Sequence, residues 1–349
     1  TSYNPRIEDS GLGGKSEGKY QLRIDYKPPA ASTLVDINGT PTLLDGDGNG
    51  RPGGVFNYWF VPTRPDRATV IAGTPDVSAY TVWVDRMAVA NGNGTLARPY
   101  TTIATALADA ANVTRVDASG NRAVTVRILG NTSNRAYEIG FNSFGAALAD
   151  GSTFDVPKNV AVMIDAGAII KVGRARISAG SSTVSVDRSG GTLQLLGTPD
   201  TKVIVTSIND TVGIGVNPDR NPPPALPGDW GGIDFRNRID GSDETRIDKE
   251  RNGLFLNSVI HSDIRFGGGQ VIVDGVSQII TPINLVDSRP SVFNNLITRS
   301  ADAAMSATPN SFKEDDFLDP RAQASGFFIP DYDRVGPDIH GNRVINNTL

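Results

Sequence analysis

At 349 residues the chain is long enough for two or more domains, or for one elongated repeat structure with an attached module. Its 38 Gly and 22 Pro demand more turns than an α-rich fold tolerates, and the absence of Cys excludes disulfides, thiolate metal sites and a Cys nucleophile. A net charge of −5 without clustered Lys and Arg argues against a nucleic-acid partner, and no run nears the ~18 apolar residues of a membrane span.

No positive region followed by an apolar one opens the chain, and Thr1 stands first; with DIHGNRVINNTL closing inside an apolar run, the expectation is a segment of a longer polypeptide. Tyr20–Tyr26 (YQLRIDY) alternates as a strand does and stops at Pro28 and Pro29, so residues 1–29 are assigned to the closing strand of an upstream β-sandwich. Residues 30–66 form a β-hairpin or Ig-like module in which STLVDI and GGVFNYWFV flank LLDGDGNGRPGG. Asp45, Asp47 and Asn49 take positions one, three and five of a calcium loop, with Gly50 at six and Arg51 at seven, where a backbone carbonyl ligates. Asp36 on the preceding strand is an added ligand candidate. Phe56 occupies the twelfth position in place of Glu, so the expected object is a calcium-stapled β-hairpin and not a helix–loop–helix. The alternative is a Gly/Asp-rich turn whose carboxylates form Asx-turns.

Residues 67–80 read as a linker, and 81–349 as one repetitive β unit. YTVWVD is a strand, and in NGNGTLARPYTTIATALADAANV the residues Ile103, Ala106, Leu107, Ala110 and Ala111 fall on one side of a helix with Thr101 or Thr102 as N-cap. The strand AVTVRILGN follows. A lone amphipathic helix beside the first strands is expected to cover the open end of the core. From Asn159 to Asp210 the runs are four to seven residues long and separated by Gly, Ser, Asp or Pro. Val160, Val162 and Ile164, Ile170 and Val172, Leu193 and Leu195, and Val203 and Val205 alternate, giving each run one core face.

Beyond Asp210 a Pro-rich excursion, Asn217 to Gly228, lands on DWGGIDF, where Trp230 is expected over the outside and Ile233 and Phe235 inward. RIDGSDETRIDKERNG reads as a solvated loop. LNSVI, FNNLI and GNRVI then repeat an Asn two residues before an aliphatic pair, at Asn257, Asn294 and Asn342, with spacings 294 − 257 = 37 and 342 − 294 = 48. Such residues stack as an amide ladder along a solenoid, or are Asn at turns.

NGNGTLARPYTTIATALADA resembles the entry segment of right-handed parallel β-helix proteins of the pectate-lyase-like superfamily. GTLQLLGTPDTKVIVTS and GDWGGIDF resemble coils in very large surface proteins of planctomycete-type bacteria, LLDGDGNGRPGG the calcium-type loops of their Ig-like modules, and YQLRIDYKP the closing strand of a pre-peptidase-type β-sandwich. The resemblance implies an all-β chain, a right-handed parallel β-helix with an N-terminal capping helix, preceded by a small β-sandwich-like module. It implies a bound Ca²⁺, an extracellular or cell-surface location, and as partners neighbouring modules, copies of the same protein or extracellular polysaccharide. A non-enzymatic structural or adhesive rod that assembles into fibres is the expected function. A polysaccharide lyase or glycoside hydrolase is the alternative, because the fold carries both.

The residues argue for the rod. The NTD, GHG and RIK segments of polygalacturonase-like enzymes are absent, and of the adjacent acidic groups, Asp243-Glu244 and Glu314-Asp315-Asp316 lie in loops. For a lyase, Asp263 and Arg265 are the pair nearest the need for an acidic face and a basic residue. His261 and His340 read as coil-face or turn residues, with a base role as the alternative. Asp315, Asp316, Asp319, Asp331, Asp333 and Asp338 form an acidic face or a second calcium site.

Overall fold

Downstream of residue 79, each short β-branched run becomes one strand, and the Gly, Asn or other left-handed residue beside it becomes the corner that passes the chain to the next sheet. The computed structural model describes the strands within 6–9, 20–25 and 55–60, and residues 80–113, 124–212, 222–240, 256–312 and 337–347. The strands after residue 79 build three parallel sheets. Sheet A stacks Tyr80–Val84, Val124–Ile128, Ala161–Asp165, Thr192–Leu196, Ser258–Ile260, Ser291–Phe293 and Asp338–His340. Sheet B stacks Tyr137–Gly140, Ile169–Gly173, Val203–Ser207, Ser262–Arg265, Leu296–Thr298 and Arg343–Ile345. Sheet C stacks Phe154–Asp155, Ile177–Gly180, Ile233–Arg236, Ile283–Val286 and Met305–Ala307. From Val124 onward the described strands of these sheets visit A, B and C in that order, an arrangement compatible with a β-helix or solenoid.

Register then converts alternation into columns. In sheet A, Val84, Ile128, Ile164, Leu195, Val259 and Val292 follow one another in pairing register, and all are fully buried. In sheet B the corresponding column is Tyr137, Ile170, Val205, Ile264 and Ile297. Sheet C adds Phe154, Ile177, Ile233 and Ile283 to the same core. Each such aliphatic side chain, fully buried, contributes about 1.5–3 kcal/mol. The alternating pairs read from the sequence between Asn159 and Asp210 all point into this core.

Two corner columns set the geometry. Between sheets A and B, His261, Asn294 and Gly341 are left-handed, with φ of 45°, 57° and 63°. Between B and C, Phe266, Arg299 and Asn346 are, with φ of 60°, 55° and 55°. One left-handed residue after a strand turns the chain sharply, and Gly and Asn bear that conformation most easily. Gly341 is required by more than φ, because a Cβ there would lie 2.2 Å from Asn294 Oδ1.

Helix α1 (Ile103–Ala111) lies between the first two strands of sheet A in sequence and packs against both. Thr102 is its N-cap, and its hydroxyl accepts from Thr105 N at 3.4 Å. Ile103, Ala106, Leu107 and Ala110 are buried with the sheet core, whereas Ala111 is half-buried. Nearer the N-terminus, Arg6–Asp9, Tyr20–Asp25 and Val55–Phe60 form an antiparallel sheet, with Tyr20 opposite Phe60 and Asp25 opposite Val55. Between sheets B and C, Gln270–Val273 and Val276–Ile279 form a hairpin whose Asp274-Gly275 turn has φ positive at both residues.

Two expectations are corrected. Trp230 is not on the outside: it is fully buried in the main core and donates Nε1–H to Arg265 O at 2.8 Å, while Ile233 and Phe235 point inward as expected. The amide ladder runs through Asn295 and Asn342, not through Asn257, Asn294 and Asn342. Pairing sets Leu296 against Arg343, which brings Asn295 level with Asn342 and leaves Asn294 as the left-handed corner. Asn257 precedes a strand of a different sheet and binds Leu193 N and Asn237 instead.

Candidate functional site

The outward face of sheet B and the turn after Val203–Ser207 bring together the acidic and basic residues singled out in the sequence. Arg265 donates through Nε to Asp263 Oδ1 at 3.0 Å and through Nη2 to Asp263 Oδ2 at 2.7 Å, a bidentate fork. Its Nη1 reaches Asp210 Oδ2 at 3.2 Å and Val212 O at 3.1 Å. Asp210 is occupied on both oxygens, since Thr206 Oγ1 donates to Oδ2 at 2.7 Å and Val212 N to Oδ1 at 3.0 Å. The hydrogen bond that Arg265 donates to Asp263, followed by the charges of Asp263 and Asp210, raises the Arg265 pKa against the opposing effect of burial. This arrangement holds Arg265 as a cation and spends both carboxylates on it, which is the chemistry of a clamp across neighbouring strands and not of a proton acceptor.

A second network runs along sheet C. Asp155, Ser178, Asp234, Asn284 and Ser306 are in register. Buried Asp234 accepts from Arg176, from Arg236 Nε at 2.7 Å and from Asn284 Nδ2 at 2.7 Å, and Ser306 Oγ passes the chain on to Asn284 Oδ1 at 2.9 Å. Arg188 Nη2 lies 3.4 Å from Asp155 Oδ1 at the other end. Satisfied in this way, buried charge ties successive strands together, and the loss of any member leaves a partner uncompensated.

Among the described residues, a concave feature lies on the edge where B turns into C. A cavity of about 650 Å³ is bounded by the turn Asn209–Val212, by prolines 222–224 and 227, and by the corner column Phe266, Arg299 and Asn346. Left-handed backbone at each corner projects one side chain per strand layer onto this edge, and adjacent layers are ~4.8 Å apart. Arg299 lies over the Phe266 ring, 5.3 Å from guanidinium carbon to centroid, a cation–π contact that fixes its position.

The other residues named from the sequence fall as follows. Asp36, Asp45, Asp47, Asn49 and Arg51 lie outside the described residues, as do Asp315, Asp316, Asp319, Asp331 and Asp333. Asp338 is on the last strand of sheet A, with its Oδ1 3.7 Å from His340 Nε2. His340 stacks on Phe293 at 4.9 Å between centroids and 3° between planes. His261 stands at the A–B corner, edge-on to Phe293, and burial followed by the charge of Lys202 lowers its pKa. Among the described residues no three His, Asp or Glu converge as a metal site.

Sequence reading missed Asp150, Asp234 and Arg299. Asp234 and Arg236 occupy outward positions of an alternating strand, and charge at those positions of DWGGIDFRN is the legible sign of a polar column. Asp150 and Arg299 gave no local sign, because each acquires its role from residues far away in sequence. No protein-family model, no curated protein and no solved structure matches the chain.

Proposed function

We propose that the chain is a non-enzymatic structural and adhesive segment of a very large secreted or cell-surface protein. In this reading residues 81–349 are a right-handed parallel β-helix of the pectate-lyase-like type, with α1 covering its first layer. Ca²⁺ held by Asp36, Asp45, Asp47, Asn49 and the Arg51 carbonyl rigidifies the β module before it. The unit is stiff, and it stacks with neighbouring modules or copies of itself.

One observation carries the reading: two groups of charged side chains on the outward faces are spent on one another across successive strands. Arg265 is clamped by Asp263 and Asp210, and Asp234 is shared by Arg176, Arg236 and Asn284. Interactions of this kind stiffen a stack of short strands. A glycosidase needs two carboxylates free to exchange protons and a lyase needs a free base, and the Asp263–Arg265 pair offers neither.

The test is incubation with polygalacturonate, alginate and neutral glycans, with new reducing ends and unsaturated products followed, beside electron microscopy of the purified chain. Rod-shaped particles without product formation are the expected result. Turnover abolished by Asp263→Ala or Arg265→Ala would establish the polysaccharide-cleaving alternative in its place.

A further inference from the structure

We infer that the groove on the B–C edge is a binding site for a small organic anion with an apolar body, its acidic group held by Arg299. Nothing in the rod reading requires this site, and the two stand or fall separately.

The charge argument comes first. Arg299 is exposed, and among the described residues its guanidinium has no ion-pair or hydrogen-bond partner; its one fixed contact is the Phe266 ring, 5.3 Å away. A ring beneath the cation pre-orients it and leaves its fork of donors facing the groove. The one carboxylate among the residues lining the groove, Asp210, is committed elsewhere, as is that of Asp229 beside the turn. Asp210 is held by Thr206, Arg265 and Val212 N, and Asp229 accepts from Ser207 Oγ, Asn209 Nδ2 and Leu226 N. A pre-positioned guanidinium without a carboxylate is a receptor for one, because its parallel N–H groups match two acidic oxygens.

The walls supply the other half of the recognition. Prolines 222–224 and 227 form a stiff apolar side with Ala225, and Val212 on the rim is 62% exposed. An exposed apolar side chain beside an open groove of about 650 Å³ falls within the size range of small-molecule sites. Asn346, one layer beyond Arg299, adds an amide that has no hydrogen bond among the described residues. Together these features select a flat or compact apolar body carrying a single carboxylate or sulfonate.

The experiment is a fluorescence titration of the whole chain with 1-anilinonaphthalene-8-sulfonate and with its uncharged analogue N-phenyl-1-naphthylamine. The expected result is saturable binding of the sulfonate at one site per chain, at least tenfold tighter than the neutral probe. Arg299→Gln weakens the sulfonate about tenfold, the size of one lost charge-assisted contact, and leaves the neutral probe unchanged. Asn346→Asp, which sets a carboxylate beside Arg299, gives the same selective loss by a second route. Arg174→Gln, an exposed cation outside the groove, alters neither probe. Absence of saturable binding, equal affinity for the two probes, or a loss with Arg174→Gln as large as with Arg299→Gln would each overturn the assignment.

Discussion

Arg86 and Asp150, 64 residues apart, form a buried ion pair that locks the first layer of the stack to helix α1. Asp150 is fully buried and also accepts from Ile103 N at 2.9 Å, the first turn of the helix, and from Glu138 N at 2.6 Å on the first strand of sheet B. A carboxylate at a helix N-terminus is favoured by the orphan N–H groups and the helix dipole. Arg86 in turn donates through Nε to Ala136 O, and its backbone N–H donates to the Tyr137 hydroxyl. Burial pushes the Arg86 pKa down and that of Tyr137 up.

Asp150→Ala should therefore destabilise the chain by about 3–5 kcal/mol, since it strands a buried guanidinium and frees a helix N-terminus. Urea denaturation measures this. Arg86→Ala should cost a similar amount, and the double variant should cost much less than the sum. Additive losses would show that the two residues act independently.

The corrected amide ladder separates two adjacent asparagines. Asn295 accepts from Ser262 N at 2.8 Å and donates to Val259 O at 2.7 Å, both in the interior, and to half-buried Asn342 Oδ1 at 2.9 Å. Its replacement by Ala should cost about 1–3 kcal/mol, because buried backbone groups lose their partners. Asn294, exposed and left-handed, should accept Gly with little change in midpoint. Equal effects at the two positions would contradict the assigned register.

Phe235 is fully buried in sheet C, in register with Ala179 and Leu285. Phe235→Ala should lower stability by about 3–5 kcal/mol through lost transfer energy and the cavity left behind. A thermal or urea midpoint shift corresponding to less than ~1 kcal/mol would mean that the core collapses around the gap.

Stability should depend on pH in two separate windows. The lowered pKa of His261 means that the folded chain resists its protonation, so stability is unaffected above the ordinary value of ~6.5 and falls as pH drops through it. His261→Asn, which tolerates the same backbone, should flatten the profile between about pH 7 and 5. Hydrogen bonds from Lys158 and then Ser189 hold Asp187 down at about 2, so its contribution is present above ~3.9 and is lost as pH falls towards that lower value. Both partners of the Lys158–Asp187 pair are more than a third exposed, and Asp187→Asn at neutral pH should cost less than ~1 kcal/mol.

Calcium is tested on the chain itself. A chelator should lower the melting temperature of the wild type and leave that of Asp47→Ala unchanged, since metal bound only by the folded state adds to its stability. No shift in either protein would remove the ion from the proposal.

The short alternating runs determined, without any coordinates, that Val162, Ile164, Leu193, Leu195, Val203 and Val205 face a core, and that Ile103, Ala106, Leu107 and Ala110 do so from a helix. Periodicity is a local property, and the side-chain direction it encodes survives in any sheet arrangement. Local pattern could not say which strand lies beside which. Asn294 and Asn295 share the same neighbours in sequence, and only the pairing of Leu296 with Arg343 decides that one amide is a ladder rung and the other a corner. The burial of Trp230 is hidden for the same reason, because the two glycines that follow it suit a surface approach as well as a buried one. The partnership of Arg86 with Asp150, the capture of Arg265 by Asp210, and the isolation of Arg299 over Phe266 arise between residues from different turns of the chain. Charge chemistry depends on distance in space, and three sheets visited in rotation bring together residues that the sequence keeps 33 to 64 positions apart.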